Sequence, residues 1–196
     1  MTKSIKLLCV ALPQELEIRL PYGYTVVYTG VGKVQAAYHL QRAIVDAYAR
    51  GYTDITVTNY GTAGGLNPLV TGLVEIGRFV QRDMIAEPLT TRGTIPFSNP
   101  PVSSIITSSP VSQVCCGTGD SFVTETDLFY VSADIDCVDM EGWALAYIAE
   151  QYHLPFRSFK YISDNADSDA ADSWTANCGT GAELILNKLK ELDLTE

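Results

Sequence analysis

Several things are scarce in this sequence, and each shortage removes a class of function. Histidine occurs twice in 196 residues, as His39 and His153, and the two are far from the short paired spacing of a zinc site. Cysteine occurs five times, as Cys9, Cys115, Cys116, Cys137 and Cys178, with no CxxC pair. An odd, scattered count without an export signal predicts buried reduced thiols rather than a disulfide framework. Basic residues are outnumbered, 13 against 23 acidic ones, for a formal net charge of −10. With no basic cluster, the electrostatic footprint of a nucleic-acid binder is missing. No apolar run reaches the roughly 18 residues of a membrane span. The stretch "MTKSIKLLCVAL" lacks a small-residue cleavage site and reads as a first buried strand. The expectation is a cytoplasmic protein that engages neither membrane nor nucleic acid and carries no metal.

What is present fits one globular domain over residues 1–196, because a chain of this length can bury a good-sized core. Apolar runs of strand length alternate with segments of helical period. Strands are expected at 5–12, 24–30, 54–60 and 156–163, and one or two more within 72–85. "PQELEIRL" after the first strand predicts a helix, with Pro13 suited to a first turn. Residues 33–51 predict a helix whose buried face is Val34, Ala37, Leu40, Ile44, Val45 and Tyr48, ending at Gly51. Residues 139–154 predict a second, with Met140, Trp143, Ala144, Tyr147, Ile148 and Tyr152 on one face, and 181–192 a closing amphipathic helix. Residues 90–104, rich in Pro, Ser, Thr and Gly, predict a long loop. This alternation means an α/β protein with a parallel or mixed sheet.

In such sheets ligands bind beyond the carboxyl ends of strands. Four segments end there in glycine or acid: "TGVGK", "YGTAGGL", "CGTGDSFV" and "YISDNAD". "GVGKVQ" lacks the third glycine of a dinucleotide fingerprint, and no Gly-x4-Gly-Lys-Ser/Thr phosphate loop occurs. It can still offer backbone N–H groups at a helix start. "GTAGG" reads as a strand-to-helix corner, with Thr62 as an extra hydrogen-bonding group. Glu15, Glu141 and Asp164 stand at strand or helix ends, where a carboxylate is either a dipole partner or a working group. Asp167, Asp169 and Asp172 read as solvated loop charges or a helix cap.

Taken in order, these segments resemble the nucleoside phosphorylase superfamily, and within it the methylthioadenosine/adenosylhomocysteine nucleosidases. "ALPQELE" is similar to the family's first strand end with its glutamate. "TGVGKVQAA", "TNYGTAGGL", "GTGDSFV", "VDMEGWALA" and "YISDNAD…SW" resemble its successive later motifs. Thr62 stands where serine is more usual, which keeps the hydroxyl. The stretch between Glu15 and Tyr24 is shorter than usual, and residues 85–105 do not align. The resemblance implies a three-layer α/β/α sandwich around a central mixed, partly barrel-like sheet.

It also implies cleavage of a nucleoside N-glycosidic bond through an oxocarbenium-like transition state. Asp164 would protonate or hydrogen-bond the purine N7, with Ser163 orienting it. Glu141 would accept from the ribose hydroxyls while Met140 packs on the sugar. Glu15 would be the base that activates water. Phe122 would stack on the nucleobase, the Val123 backbone would read its edge, and Trp174 would lie near the base and the 5′ side. Thr62, Ala63 and Gly64 would line the substrate site. No arginine occurs in 51–77, where related phosphorylases hold phosphate, which favours water as the nucleophile.

The resemblance therefore implies an adenine-preferring purine nucleosidase of purine salvage, without cofactor, acting on methylthioadenosine- or adenosylhomocysteine-like nucleosides as a homodimer or higher homo-oligomer. The alternatives are a phosphate-dependent phosphorylase, a hydrolase of nucleoside 5′-monophosphates, or a silent nucleoside-binding protein. Arg19, Arg78 and Arg82 have no role in this reading, although Arg82 could meet a 5′-phosphate or a subunit interface.

Overall fold

A computed structural model describes residues 2–109 and 111–194. Its described residues form nine strands in one mixed sheet. The spine is β1 (Ser4–Val10), flanked by β2 (Tyr24–Tyr28) and β3 (Asp54–Gly65), both parallel to it. β3 outruns β1, so one of its edges takes β1 along the first half and β8 (Cys137–Asp139) at the end, while the other edge takes β9 (Phe156–Asp164). Over most of its length it pairs in parallel with β9, while its last residues pair antiparallel with β8. β7 (Cys115–Thr118) and β5 (Arg78–Gln81) continue the sheet from β8 in parallel. β6 (Ile105–Ile106) pairs antiparallel with β5, and β4 (Leu73–Ile76) antiparallel with β9. The sheet is mixed, as the family resemblance implied, and stays open from β2 to β6 rather than closing into a barrel.

Side chains alternate along each strand and divide between two layers. Leu7 and Cys9 of β1 and Ile55 and Val57 of β3 join one core, beneath α1 (Lys33–Ala49) and α3 (Gly142–Gln151). Leu8 and Val10, with Tyr60 and Phe159, join a second core on the opposite face, sealed by Ile185 and Leu189 of α5 (Ala182–Asp193). A smaller cluster gathers Val80, Cys115 and Val138 with Tyr130 of α2 (Leu128–Ser132). With α4 (Ala170–Asn177), the helices cover both faces, as a three-layer α/β/α arrangement requires. Cys9, Cys115, Cys116 and Cys137 are buried free thiols.

Four expectations change. The helix after β1 is a single 3-10 turn, Pro13–Glu15, because Glu15 turns its carboxylate inward to the sheet instead of continuing outward. "GTAGG" is the end of β3 rather than a corner, since β9 and β8 supply strand partners on both sides. The helix expected from residue 139 begins at Gly142, because Asp139 belongs to β8. On α1 the buried positions are Ala36, Leu40, Ile44 and Ala47, while Val34, Val45 and Tyr48 are exposed. Ala36 and Ala47 join Leu40 and Ile44 in the core beneath α1 and α3, where close packing admits small side chains. α2 and α4 are additional helices, and α4 starts after Asp169, one of the aspartates read as a loop charge or a helix cap.

Candidate active site

The carboxyl ends of β1, β3, β5, β7, β8 and β9 converge on one cavity of about 420 Å³. All eleven residues singled out from the sequence line it: Glu15, Thr62, Ala63, Gly64, Phe122, Val123, Met140, Glu141, Ser163, Asp164 and Trp174.

Glu15 enters from the 3-10 turn and is only 3% exposed. Its Oε2 accepts from the Leu12 amide at 2.9 Å, and its Oε1 accepts from the amide and the hydroxyl of Thr62, both at 2.9 Å. The Thr62 hydroxyl in turn accepts from Trp174 Nε1 at 2.9 Å, so an indole on α4 is joined through one oxygen to a carboxylate on the opposite wall. Three donors leave roughly one of the four acceptor positions of a carboxylate open to a ligand.

Glu141 follows β8 and sits at the N-cap position of α3, 7% exposed. Its Oε1 accepts from the Gly32 amide at 2.8 Å, just before α1. Burial pushes its pKa up to about 7, with the Lys160 ammonium pulling down and Asp139 pushing up. Beneath it lies an ion pair unforeseen in the sequence. Lys160 Nζ meets Asp139 Oδ2 at 2.8 Å, and each side chain is 1% exposed. Asp139 also accepts from Thr118 Oγ1 at 2.5 Å and from the Gly142 amide at 2.8 Å. Burial alone would raise the Asp139 pKa; the ammonium and these hydrogen bonds hold it below the usual carboxylate range. Burial opposes the Lys160 charge, but Asp139 and Glu141 raise its pKa above that of a free lysine.

Asp164 ends β9 at 9% exposure. Ser163 Oγ donates to its Oδ2 at 2.8 Å and the Ala166 amide to its Oδ1 at 3.0 Å, which fixes the plane of the carboxyl group. Gly64 lies against it: a Cβ there would stand 2.8 Å from Asp164 Oδ1, so only glycine lets β3 approach this closely. Asn177 Nδ2 donates to the Ser163 carbonyl at 2.9 Å and ties α4 back to the strand end. Asp167, Asp169 and Asp172 are exposed, with Asp169 at the α4 N-cap position.

The remaining walls are apolar and aromatic, with Phe122, Val123, Val31, Met140 and Trp174 around the mouth. Arg82 is the one basic residue among those lining the cavity. Among the described residues no group of three or more His, Cys, Asp or Glu side chains is placed to hold a metal ion, and no helix is long and apolar enough to cross a membrane. Sequence reasoning missed Asp139, Lys160 and Thr118, whereas the backbone N–H expected from "GVGKVQ" at a helix start is that of Gly32. One signal for Lys160 was available: in "FRSFKYIS" it alternates with Ser158 and Ile162 on the buried face of a strand, where a lone lysine demands a carboxylate.

The chain is 26% identical to the 5′-methylthioadenosine/S-adenosylhomocysteine nucleosidase of Shewanella loihica, over an alignment covering 85% of this chain and 81% of that protein. Its fold is similar to the Helicobacter pylori nucleosidase of the same name bound to butyl-thio-DADMe-Immucillin-A. There the TM-score is 0.83 at 22% identity, over 100% of this chain and 99% of that one. The native futalosine hydrolase of Helicobacter pylori is as close, with a TM-score of 0.83, 22% identity and the same shares of the two chains. A family model described as the Phosphorylase superfamily matches residues 22–192. With its open mixed sheet and a carboxylate-lined cleft at the strand ends, this chain belongs to the phosphorylase superfamily.

Proposed function

We propose that this protein is a purine nucleosidase that hydrolyses the N-glycosidic bond of adenine nucleosides such as methylthioadenosine, releasing adenine and the free sugar. One observation carries the reading: Glu15, Glu141 and Asp164 face a single cavity, each under a tenth exposed and each held by different donors. Binding alone would not call for three buried carboxylates, since each is costly to desolvate. The curated relative that bears the name of a methylthioadenosine/adenosylhomocysteine nucleosidase supports the same substrate class.

In this mechanism Asp164 delivers a proton to the purine N7 as the C1′–N9 bond breaks, and the bonding pair leaves with the base. Glu141, as the anion, accepts from the ribose hydroxyls and favours the positive charge that grows on the sugar. Its pKa near 7 means that this role is gained as pH rises through neutrality. Water attacks C1′ and gives its proton to the open position of Glu15. Phe122 and Trp174 supply aromatic faces for the base, and Met140 packs on the sugar.

The whole chain acts as one domain, in the cytoplasm, within purine salvage, as a homodimer or higher homo-oligomer. The exposed apolar side chains of Val34, Tyr38 and Val45 on α1 and of Leu128 and Val131 on α2 support the last point, since this much exposed apolar surface favours association. A monomer in sedimentation equilibrium would remove the oligomer from the proposal.

A phosphorylase is the second reading, and Arg82 in the cavity wall is the observation that favours it. Methylthioadenosine, adenosine, inosine and AMP, each with and without phosphate, separate the two. Adenine release without phosphate is the expected result. Strict phosphate dependence with sugar 1-phosphate as product would establish the phosphorylase, and no base release from any adenine nucleoside would sink the adenine nucleosidase.

A further inference from the structure

Arg82, directly after β5, is 3% exposed and lines the cavity, yet the chemistry above does not use it. Its guanidinium is engaged by neutral oxygens of a single short segment. Nη2 donates to the Gly119 carbonyl at 3.0 Å and also to the Ser121 carbonyl, and Nη1 donates to Ser121 Oγ at 3.0 Å. Nε is buried without a hydrogen-bond partner. Gly119 permits this contact, because a Cβ there would stand 2.8 Å from Arg82 Cζ.

The neighbouring residue grips the same segment. Asp83 Oδ2 accepts from the Asp120 amide at 2.8 Å, and Asp83 Oδ1 pairs with the Lys33 ammonium. Lys33 also approaches Asp120 Oδ2 at 3.7 Å, and its amide donates to Asp120 Oδ1 at 2.8 Å. Residues 119–121 are thus held from one side by the end of β5 and from the other by the start of α1. The next two residues along the chain are Phe122 and Val123, which line the cavity. Gly32, adjacent to Lys33, donates to Glu141. One connected set of contacts therefore sets the position of the aromatic wall relative to the ribose-side carboxylate.

We infer that Arg82, together with Asp83, Asp120 and Lys33, forms a clasp that positions Phe122 and Val123 for the nucleobase without touching the reacting bond. The inference rests on the nucleosidase reading for its kinetic consequence, but not for its structural one. Arg82 is then a positioning residue rather than an anion receptor. Its loss weakens base recognition more than bond cleavage, as expected for an interaction made equally in ground and transition states.

The test uses the full chain with Arg82→Gln, Gly119→Ala and Asp83→Asn. Amide hydrogen exchange without substrate should accelerate at residues 119–123 by roughly tenfold or more while the central strands keep their protection. Asp83→Asn lies at a partly exposed position and serves if Arg82→Gln does not fold. With methylthioadenosine, KM should rise by about tenfold and kcat should stay within about threefold. Unchanged exchange at 119–123 in a folded variant would overturn the clasp. So would a fall in kcat with KM unchanged, or a phosphate stimulation in the unaltered protein that Arg82→Gln abolishes; the latter would make Arg82 an anion receptor. If the unaltered protein releases no base, the nucleosidase reading fails and hydrogen exchange still decides the clasp.

Discussion

The floor and the rim of the cavity place charge and aromatic surface under opposite conditions. On and beneath the floor, Glu15, Asp139, Glu141, Lys160 and Asp164 are each less than a tenth exposed and are carried by strands or by the turns that follow them. Their hydrogen bonds run to other strand ends and to helix starts, so the sheet itself sets the distances among them. On the rim, Phe122 is 46% exposed and Trp174 is partly buried, and both ride on segments that follow strand ends, after β7 and after β9. A few polar contacts hold them: the clasp at 119–121, and the bonds of Trp174 and Asn177 from α4. Charges that must keep a defined protonation state are held in the rigid, dry part. Surfaces that must admit and release a base are held in the wetter part.

Substitutions can break this contrast. The largest expected effect is on the floor. Asp164→Asn and Glu15→Gln should each slow adenine release by roughly 100- to 10,000-fold, as loss of a general acid or base typically does. A near-normal rate in either variant would move the chemistry off that residue.

Next comes the ion pair beneath Glu141. Lys160→Met leaves the Asp139 anion buried and unpaired, which should cost about 3–5 kcal/mol in denaturant unfolding. The double variant Lys160→Met/Asp139→Leu should recover most of it; no recovery would mean that Lys160 matters for something other than its partner.

The third effect depends on pH. The Glu141 pKa is about 7 in the folded chain against an ordinary 4.5, so its neutral form is the one the fold prefers. That preference is fully present below about pH 4.5 and is lost as pH rises through 7. Glu141→Gln should therefore stabilise the protein at pH 8, by on the order of 3 kcal/mol, and change little at pH 4. Thermal melts at the two pH values check it, and equal shifts at both would refute the assignment.

The smallest effect belongs to the rim. Trp174→Phe removes one hydrogen bond to Thr62 and should lower stability by about 1 kcal/mol or less while raising KM severalfold. A rate loss comparable to that of Asp164→Asn would erase the distinction between floor and rim.

The same contrast governs what could be read from the residues alone. Strand ends were legible, because apolar runs stop at "TNYGTAGG" and "YISD" and the polar residues that follow cluster there. The eleven residues drawn from those ends and from the family resemblance meet in one cavity. Asp139 was assigned to a helix, because the helical period of 139–154 continues backward through a three-residue strand too short to register its own. The grip of Arg82 could not be read at all, since two of its acceptors are backbone carbonyls and carry no side-chain signature. The exposed side of α1 was misread for a related reason. Valines outrank alanines in any hydrophobic pattern, yet Ala36 and Ala47 are the residues that join the core.

The bond from Trp174 to Thr62 also gives the molecule an optical readout. The chain has two tryptophans; Trp143 is 7% exposed and stacked on Tyr147, with ring centroids 5.1 Å apart. Trp174 is the only other indole, and it is one hydroxyl away from Glu15. In a Trp143→Phe chain all tryptophan emission would come from the cavity wall. Its intensity and wavelength would then follow the entry of adenine and the dryness of the pocket in real time, with no bond broken and no label attached.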